Sequence, residues 1–97
     1  MTNAKHELLN HIEKREVEYV KIIFGKNYQG TPIEIQGTLE QVLPLLNFEY
    51  DSGFGTQELE GYIWYTDGTW SERGEYDGYE WWEYKVRPSK DIKLGAW

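Results

Sequence analysis

No cysteine occurs in the chain, so neither a disulfide framework nor a thiolate metal site is open to it. That composition fits a reducing cytosol. No apolar run approaches the roughly 20 residues a membrane-spanning helix needs, and the N-terminus lacks a basic stretch followed by an apolar one. Bases are scarce where acids are dense. Residues 1–47 carry net charge −1, residues 48–84 carry −9 with Arg73 as their one base, and residues 85–97 carry +3, giving −7 in all. Direct nucleic-acid binding needs Lys and Arg to neutralise phosphates, and this balance argues against it. The expectation is a soluble cytoplasmic protein with no contact to membrane or nucleic acid. Its acidity either keeps a small domain soluble or meets a basic protein surface, such as one that ordinarily receives nucleic acid.

Groups arranged for catalysis are missing too. There is no GxGxxG or Walker-type loop; Gly53-Phe54-Gly55 lacks both a third glycine and a lysine. Ser52, Ser71 and Ser89 have no nucleophile-elbow context. His6 and His11 lie about 140° apart around the expected helix, too far to share a metal, and read as surface histidines. Asp51 and Asp77 lack the spacing of a calcium loop. Glu72 and Glu83, expected side by side, have the residue type of a glycosidase acid and nucleophile. Opposed carboxylates also arise by chance on a solvated sheet in a chain with thirteen glutamates. The reading is of a protein that is not an enzyme, with no cofactor and no metal.

What the chain does have is concentrated in Glu58–Lys85, ELEGYIWYTDGTWSERGEYDGYEWWEYK, which holds four of its five tryptophans. Asp67-Gly68 and Asp77-Gly78 each signal a two-residue type I′ hairpin turn, which needs positive φ at both central positions. The segment therefore predicts a three-stranded antiparallel meander. Upstream, Ala4, Leu8 and Ile12 form an apolar stripe that predicts a helix from Asn3, its N-cap, to about Lys14. Residues 16–24 read as a central strand, apolar on both faces, and 32–37 as its hairpin partner across a loop at 25–30. Thr38-Leu39-Glu40-Gln41 has the pattern of a capping box, and Pro44 predicts a break soon after. Residues 47–56 read as a loop. The fold expected is α+β: one antiparallel sheet of about five strands, a hairpin plus the C-terminal meander, with one or two helices on one face. A single domain spans 1–88, followed by a basic tail at 89–97.

Counting outward from two I′ turns sets Tyr65 opposite Trp70, Ile63 opposite Glu72 and Gly74 opposite Trp81. One face then holds Leu59, Ile63, Tyr65, Trp70, Tyr76, Tyr79 and Trp81, with Glu72, Glu83 and Lys85. The other holds Tyr62, Trp64, Trp82, Tyr84 and Val86, with Glu60, Arg73, Glu75 and Glu80. Helices cover only one face, so the other shows aromatics to solvent, a partner or a second subunit. A single bulge would reassign every downstream side chain. The expected partner-binding set is Tyr62, Trp64, Arg73, Glu75, Glu80, Trp82 and Tyr84. Arg73 is expected over the Trp82 indole, as structure or as a holder of an acidic ligand group.

The run Asp67-Gly68-Thr69-Trp70, followed by Arg73 through Trp82, resembles a signature near the C-terminus of small proteins of tailed bacteriophages. The resemblance covers about a quarter of the chain and carries no established chemistry. It implies an accessory phage protein in the host-cell cytoplasm, one that binds and inhibits a bacterial host or defence protein, an anti-CRISPR role included. The alternatives are a small-ligand binder that stacks a nucleotide signal or sugar on tryptophan with Arg73 at any phosphate, and a homodimer joined through the aromatic face.

Overall fold

The computed structural model describes residues 1–25, 31–51 and 57–87. The loop expected at 25–30 beyond Gly25, the Gly53-Phe54-Gly55 loop and the basic tail lie outside these. The chain opens with a short strand β1 (Thr2–Asn3), then helix α1 (Ala4–Ile12). Asn3 caps α1, its Oδ1 accepting the His6 N–H at 3.0 Å. The stripe Ala4, Leu8 and Ile12 is buried as expected. The helix ends two residues early, because Glu13 turns to φ +53°.

Strands β2 (Val17–Phe24) and β3 (Ile33–Gly37) form the expected hairpin, with Ile22 opposite Ile35. The capping box is complete: Thr38 N–H donates to Gln41 Oε1 at 2.9 Å, and Gln41 N–H to Thr38 Oγ1 at 3.4 Å. It starts α2 (Leu39–Val42), which gives way at Pro44 to a 3₁₀ turn, Leu43–Leu46. Proline has no N–H to donate and crowds the preceding turn, so the tighter helix replaces the α form. Part of the segment read as loop is a strand: β4 (Glu49–Tyr50) pairs with β1. Two residues are too few to show a period, so no sequence signal marked it.

The meander follows as β5 (Leu59–Tyr65), β6 (Trp70–Tyr76) and β7 (Tyr79–Lys85). The main sheet is antiparallel with order β3-β2-β5-β6-β7. β2 is an interior strand, between β3 and β5; Val20 and Ile22 on one side are buried in the core, while Tyr19 on the other is exposed. α1, α2 and the 3₁₀ turn supply Leu8, Ile12, Val42 and Leu46 to a core shared with Val20, Ile22, Ile35, Leu59, Ile63, Tyr65 and Trp82 of the sheet. Each fully buried aliphatic side chain of this kind contributes about 1.5–3 kcal/mol. Among the described residues no helix is long and apolar enough to cross a membrane.

The two Asp-Gly turns differ. Asp77 and Gly78 have φ +51° and +87°, the type I′ pair, and Tyr76 faces Tyr79 as counted. At the first turn only Gly68 has positive φ. Tyr65 N–H donates to Thr69 O at 2.9 Å and Gly68 N–H to Tyr65 O at 3.2 Å. This is a three-residue loop, a type I turn closed by a glycine bulge. Asp67 serves it differently from Asp77: its Oδ1 accepts the Thr69 N–H at 3.0 Å. The register between β5 and β6 is therefore one residue off the expected one: Trp64 faces Trp70, Ile63 faces Ser71 and Tyr62 faces Glu72.

That shift redistributes the faces. Ile63 and Tyr65 share the helix-covered side with Ser71, Arg73, Glu80 and Trp82, while Tyr62 and Trp64 share the open side with Trp70, Glu72, Trp81 and Glu83.

Candidate binding face

β5 and β6 stay paired only from Trp64–Trp70 to Tyr62–Glu72, whereas β6 and β7 pair along their full length. Past Tyr62 the strands part, and side chains take over the missing ladder. Glu80 reaches from β7 to accept the Glu58 and Leu59 N–H groups at 2.8 and 3.0 Å, and Arg73 Nε donates to Leu59 O at 3.3 Å. β5 instead presses on β2 at Gly61, where φ is +154° and a Cβ would collide with the Lys21 carbonyl oxygen. Glycine is required there by both backbone and space.

Arg73 is the hub of this repair. Its guanidinium bonds Glu80 at 2.8 Å, Glu7 of α1 at 3.1 Å and the Tyr50 hydroxyl at 2.7 Å, and lies 5.0 Å from the Trp82 ring. The side chains of Arg73 and Glu80 are 1% and 0% exposed. Tyr50 in turn donates to Glu7, and burial drives its ionisation far above the ordinary tyrosine range, the Glu7 hydrogen bond adding to it while Arg73 opposes. The expected Arg73–Trp82 contact is present as structure. Glu7, on the helix, was beyond any count along the meander.

A second polar chain runs beside it. His11 Nε2 and the Tyr65 hydroxyl each lie 2.7 Å from Ser71 Oγ, and the His11 ring stacks on Trp82. His11 is thus a half-buried structural group, not the surface histidine expected. Burial, first, and the nearby Arg15 and Arg73 hold its pKa below the usual 6.5. Ser71 is fully buried beneath the helix, so this Ser–His contact is closed to any substrate.

The expected binding set is accordingly split. Arg73, Glu80 and Trp82 are interior; Trp82 is 7% exposed. Two carboxylates, a hydroxyl and a carbonyl take four of the five guanidinium N–H groups of Arg73, and the side chain is buried, so it is not presented to a ligand phosphate, which corrects that expectation. Glu75 is exposed and accepts the Gly78 N–H of the second turn at 2.9 Å. Tyr84 sits at the rim of the helix side, its ring under the Arg15 guanidinium at 3.9 Å and its hydroxyl donating to Thr69. Tyr62 and Trp64 alone lie on the open face.

There they belong to an aromatic row that the expected register had divided. Tyr19 and Trp64 have centroids 6.0 Å apart, Tyr62 stacks on Trp64 at 5.6 Å, and Trp70 lies directly across from Trp64. Tyr19 and Tyr62 are exposed. Trp81 covers Gly74, where an added Cβ would sit 2.7 Å from its Nε1. The row is set among carboxylates. Lys21 pairs with Glu34, and Lys85 bridges Glu72 and Glu83 at 3.7 and 3.2 Å. Glu72 and Glu83 do face each other, yet hydrogen bonds from Trp81 and Lys85 hold Glu83 below the usual carboxylate range. A general acid is tuned the other way. Where β5 and β6 part, the open face dips into a cleft of about 390 Å³, lined by Lys21, Ile23, Gln57, Glu60, Tyr62 and Glu72, with Gly61 and Arg73.

This is an α+β chain whose main sheet has one face clad by helices and one left bare among the described residues. Compared with protein-family models, curated proteins and solved structures, it matches none.

Proposed function

We propose that the chain is a non-enzymatic binding protein whose open sheet face engages a basic surface on another protein. The supporting observation is the row Tyr19–Trp64–Tyr62, uncovered among the described residues and bordered there by Glu34, Glu60, Glu72 and Glu83 with Lys21 and Lys85. Exposed aromatic clusters are uncommon on soluble monomers unless they bind something. Rings ringed by charge have the usual make-up of interface hot spots. The excess of carboxylates steers a cationic partner and repels nucleic acid.

The phage resemblance supplies the setting. The partner is a bacterial host or defence protein met in the cytoplasm of an infected cell, a CRISPR effector being one such target. Inhibition follows from covering a surface that otherwise receives nucleic acid. The test is a pull-down from bacterial lysate at low and high salt, with Tyr62→Ala/Trp64→Ala as the control bait. A stoichiometric partner held by the native chain at low salt, and lost both in the double variant and at high salt, is expected. Equal capture by the variant, or no partner under either condition, refutes the reading.

The cleft favours one alternative, a small-ligand site with a sugar or other uncharged ring stacked on Tyr62. With Arg73 committed, the other cation lining the cleft, Lys21, is already paired with Glu34. Tryptophan fluorescence titration with sugars and cyclic nucleotides decides it, and silence across both panels removes it.

A further inference from the structure

The two edges of the main sheet are unequal. β3 is five residues long and follows Pro32, so it is short and begins beside a residue that cannot donate. Short strands, proline, bulges and free lysines are the devices that keep edges from pairing. β7 has no proline or bulge, and its charged side chains are engaged within the subunit, Glu80 by Arg73 and Glu83 by Trp81 and Lys85. It runs from Tyr79 to Lys85 without proline, keeps one register with β6 throughout, and its single lysine is tied to Glu72 and Glu83. Tyr79, Trp81 and Tyr84 stand exposed along it.

The turn fixes which backbone groups face outward. A two-residue I′ turn makes its flanking residues, Tyr76 and Tyr79, a hydrogen-bonded pair. By alternation, Trp81, Glu83 and Lys85 also bond to β6, and the N–H and C=O groups of Glu80, Trp82 and Tyr84 point to the free edge. Among the described residues no strand takes them.

We propose that β7 of a second copy of this chain pairs antiparallel with this edge, about a two-fold axis at Trp82. In that register the outward groups of Glu80 meet those of Tyr84 in the other copy, and Trp82 meets its own equivalent. On the open face Trp81 falls opposite Glu83, and Tyr79 opposite Lys85. Each charged group thus meets an uncharged aromatic side chain. No like charges oppose one another, which in a cross-strand pair would be destabilising. Moving the axis to Glu83 sets that carboxylate against its own copy. Moving it to Trp81 runs the strand into Asp77 and Gly78, whose positive φ values are not extended. The self-complementary register is the reason for choosing a second copy as the occupant. The two sheets become one, with both aromatic rows on the same side.

Because the chain has no cysteine, disulfide trapping reads this register directly. Positions 81 and 83 form a non-hydrogen-bonded cross-strand pair, with Cα atoms about 4.5 Å apart, close enough for a disulfide. Trp81→Cys and Glu83→Cys are made separately, and both sites are on the exposed side of the sheet. Under mild oxidation a cross-linked dimer is expected in the mixture and not from either variant alone. Self-linking of either variant alone, or no linking in the mixture, overturns the proposal. Sedimentation of the full native chain should show a dimer that grows with concentration. Trp81→Glu places a carboxylate opposite Glu83 on both sides of the axis and should weaken it about tenfold or more. Adding Glu83→Lys should restore it. A native chain that stays monomeric at every concentration, or a dimer indifferent to Trp81→Glu, overturns the proposal equally.

Discussion

The meander has two faces built from the same residue types, tryptophan, tyrosine, glutamate and one or two bases, and they serve opposite ends. Under the helix, Arg73 is enclosed by Glu7, Glu80, Tyr50 and Trp82. Among the described residues no buried side-chain nitrogen or oxygen lacks a partner. On the open side Tyr62 stacks on Trp64, Tyr19 tilts against the same ring, and lysines meet glutamates in water. A desolvated charge must be paired or it is ruinous, whereas an exposed pair is worth little. The difference separates what holds the sheet together from what is left over for a partner.

Substitutions that cross this divide should behave unequally. The largest effect is expected from Arg73→Ala, which leaves Glu80 buried without its counter-charge and cuts the bridge to Leu59. Urea unfolding near neutral pH should show a loss of about 3–5 kcal/mol. Lys85→Ala, its counterpart on the open face, should leave the unfolding midpoint nearly unchanged, and equal losses at the two sites would erase the contrast. Trp82→Ala follows, at about 3–5 kcal/mol from lost burial and the cavity left behind. If that variant kept native stability, Trp82 would have to be a surface anchor after all.

The pH dependence of stability sharpens the same line. His11 is held neutral, its folded pKa lying below 6.5. Its contribution is complete above 6.5, where folded and unfolded states are both unprotonated. As pH falls below 6.5 the unfolded chain takes up the proton first, and stability declines until the folded pKa is passed. Unfolding curves between pH 7.5 and 5 should show that decline, and His11→Asn should flatten it. The smallest effect on stability is expected on the open face. Tyr62→Ala should fall within about 0.5 kcal/mol of the native chain, while removing capture of the partner. A variant both unstable and unable to bind would place Tyr62 with the scaffold.

Much of the scaffold could be read directly. The Asn3 cap, the Thr38–Gln41 box, the break at Pro44 and the β2–β3 hairpin all arise from contacts within a few residues or from a local period. The second Asp-Gly turn took the geometry its dipeptide favours. The first did not, because Thr66 joined the loop and only Gly68 adopted positive φ; one added loop residue moved Tyr62 and Trp64 to the side of Trp70 and Trp81. His11 and Glu7 were misjudged or missed for a different reason. Their partners, Ser71 and Arg73, lie some sixty residues further along the chain, and no spacing rule links a helix residue to a strand that distant.

By itself, then, the amino-acid sequence determined the α+β class and the order of the helices and the five main-sheet strands, and it pointed to one aromatic face left bare among the described residues, since two short helices can clad only one side of a sheet. Tertiary structure alone decided which tryptophans are bare. Strand register inverts every side chain with a slip of one residue, and the slip was settled by how the β5–β6 loop closed and by the burial of Arg73, Glu80 and Ser71 against a helix far away in the chain.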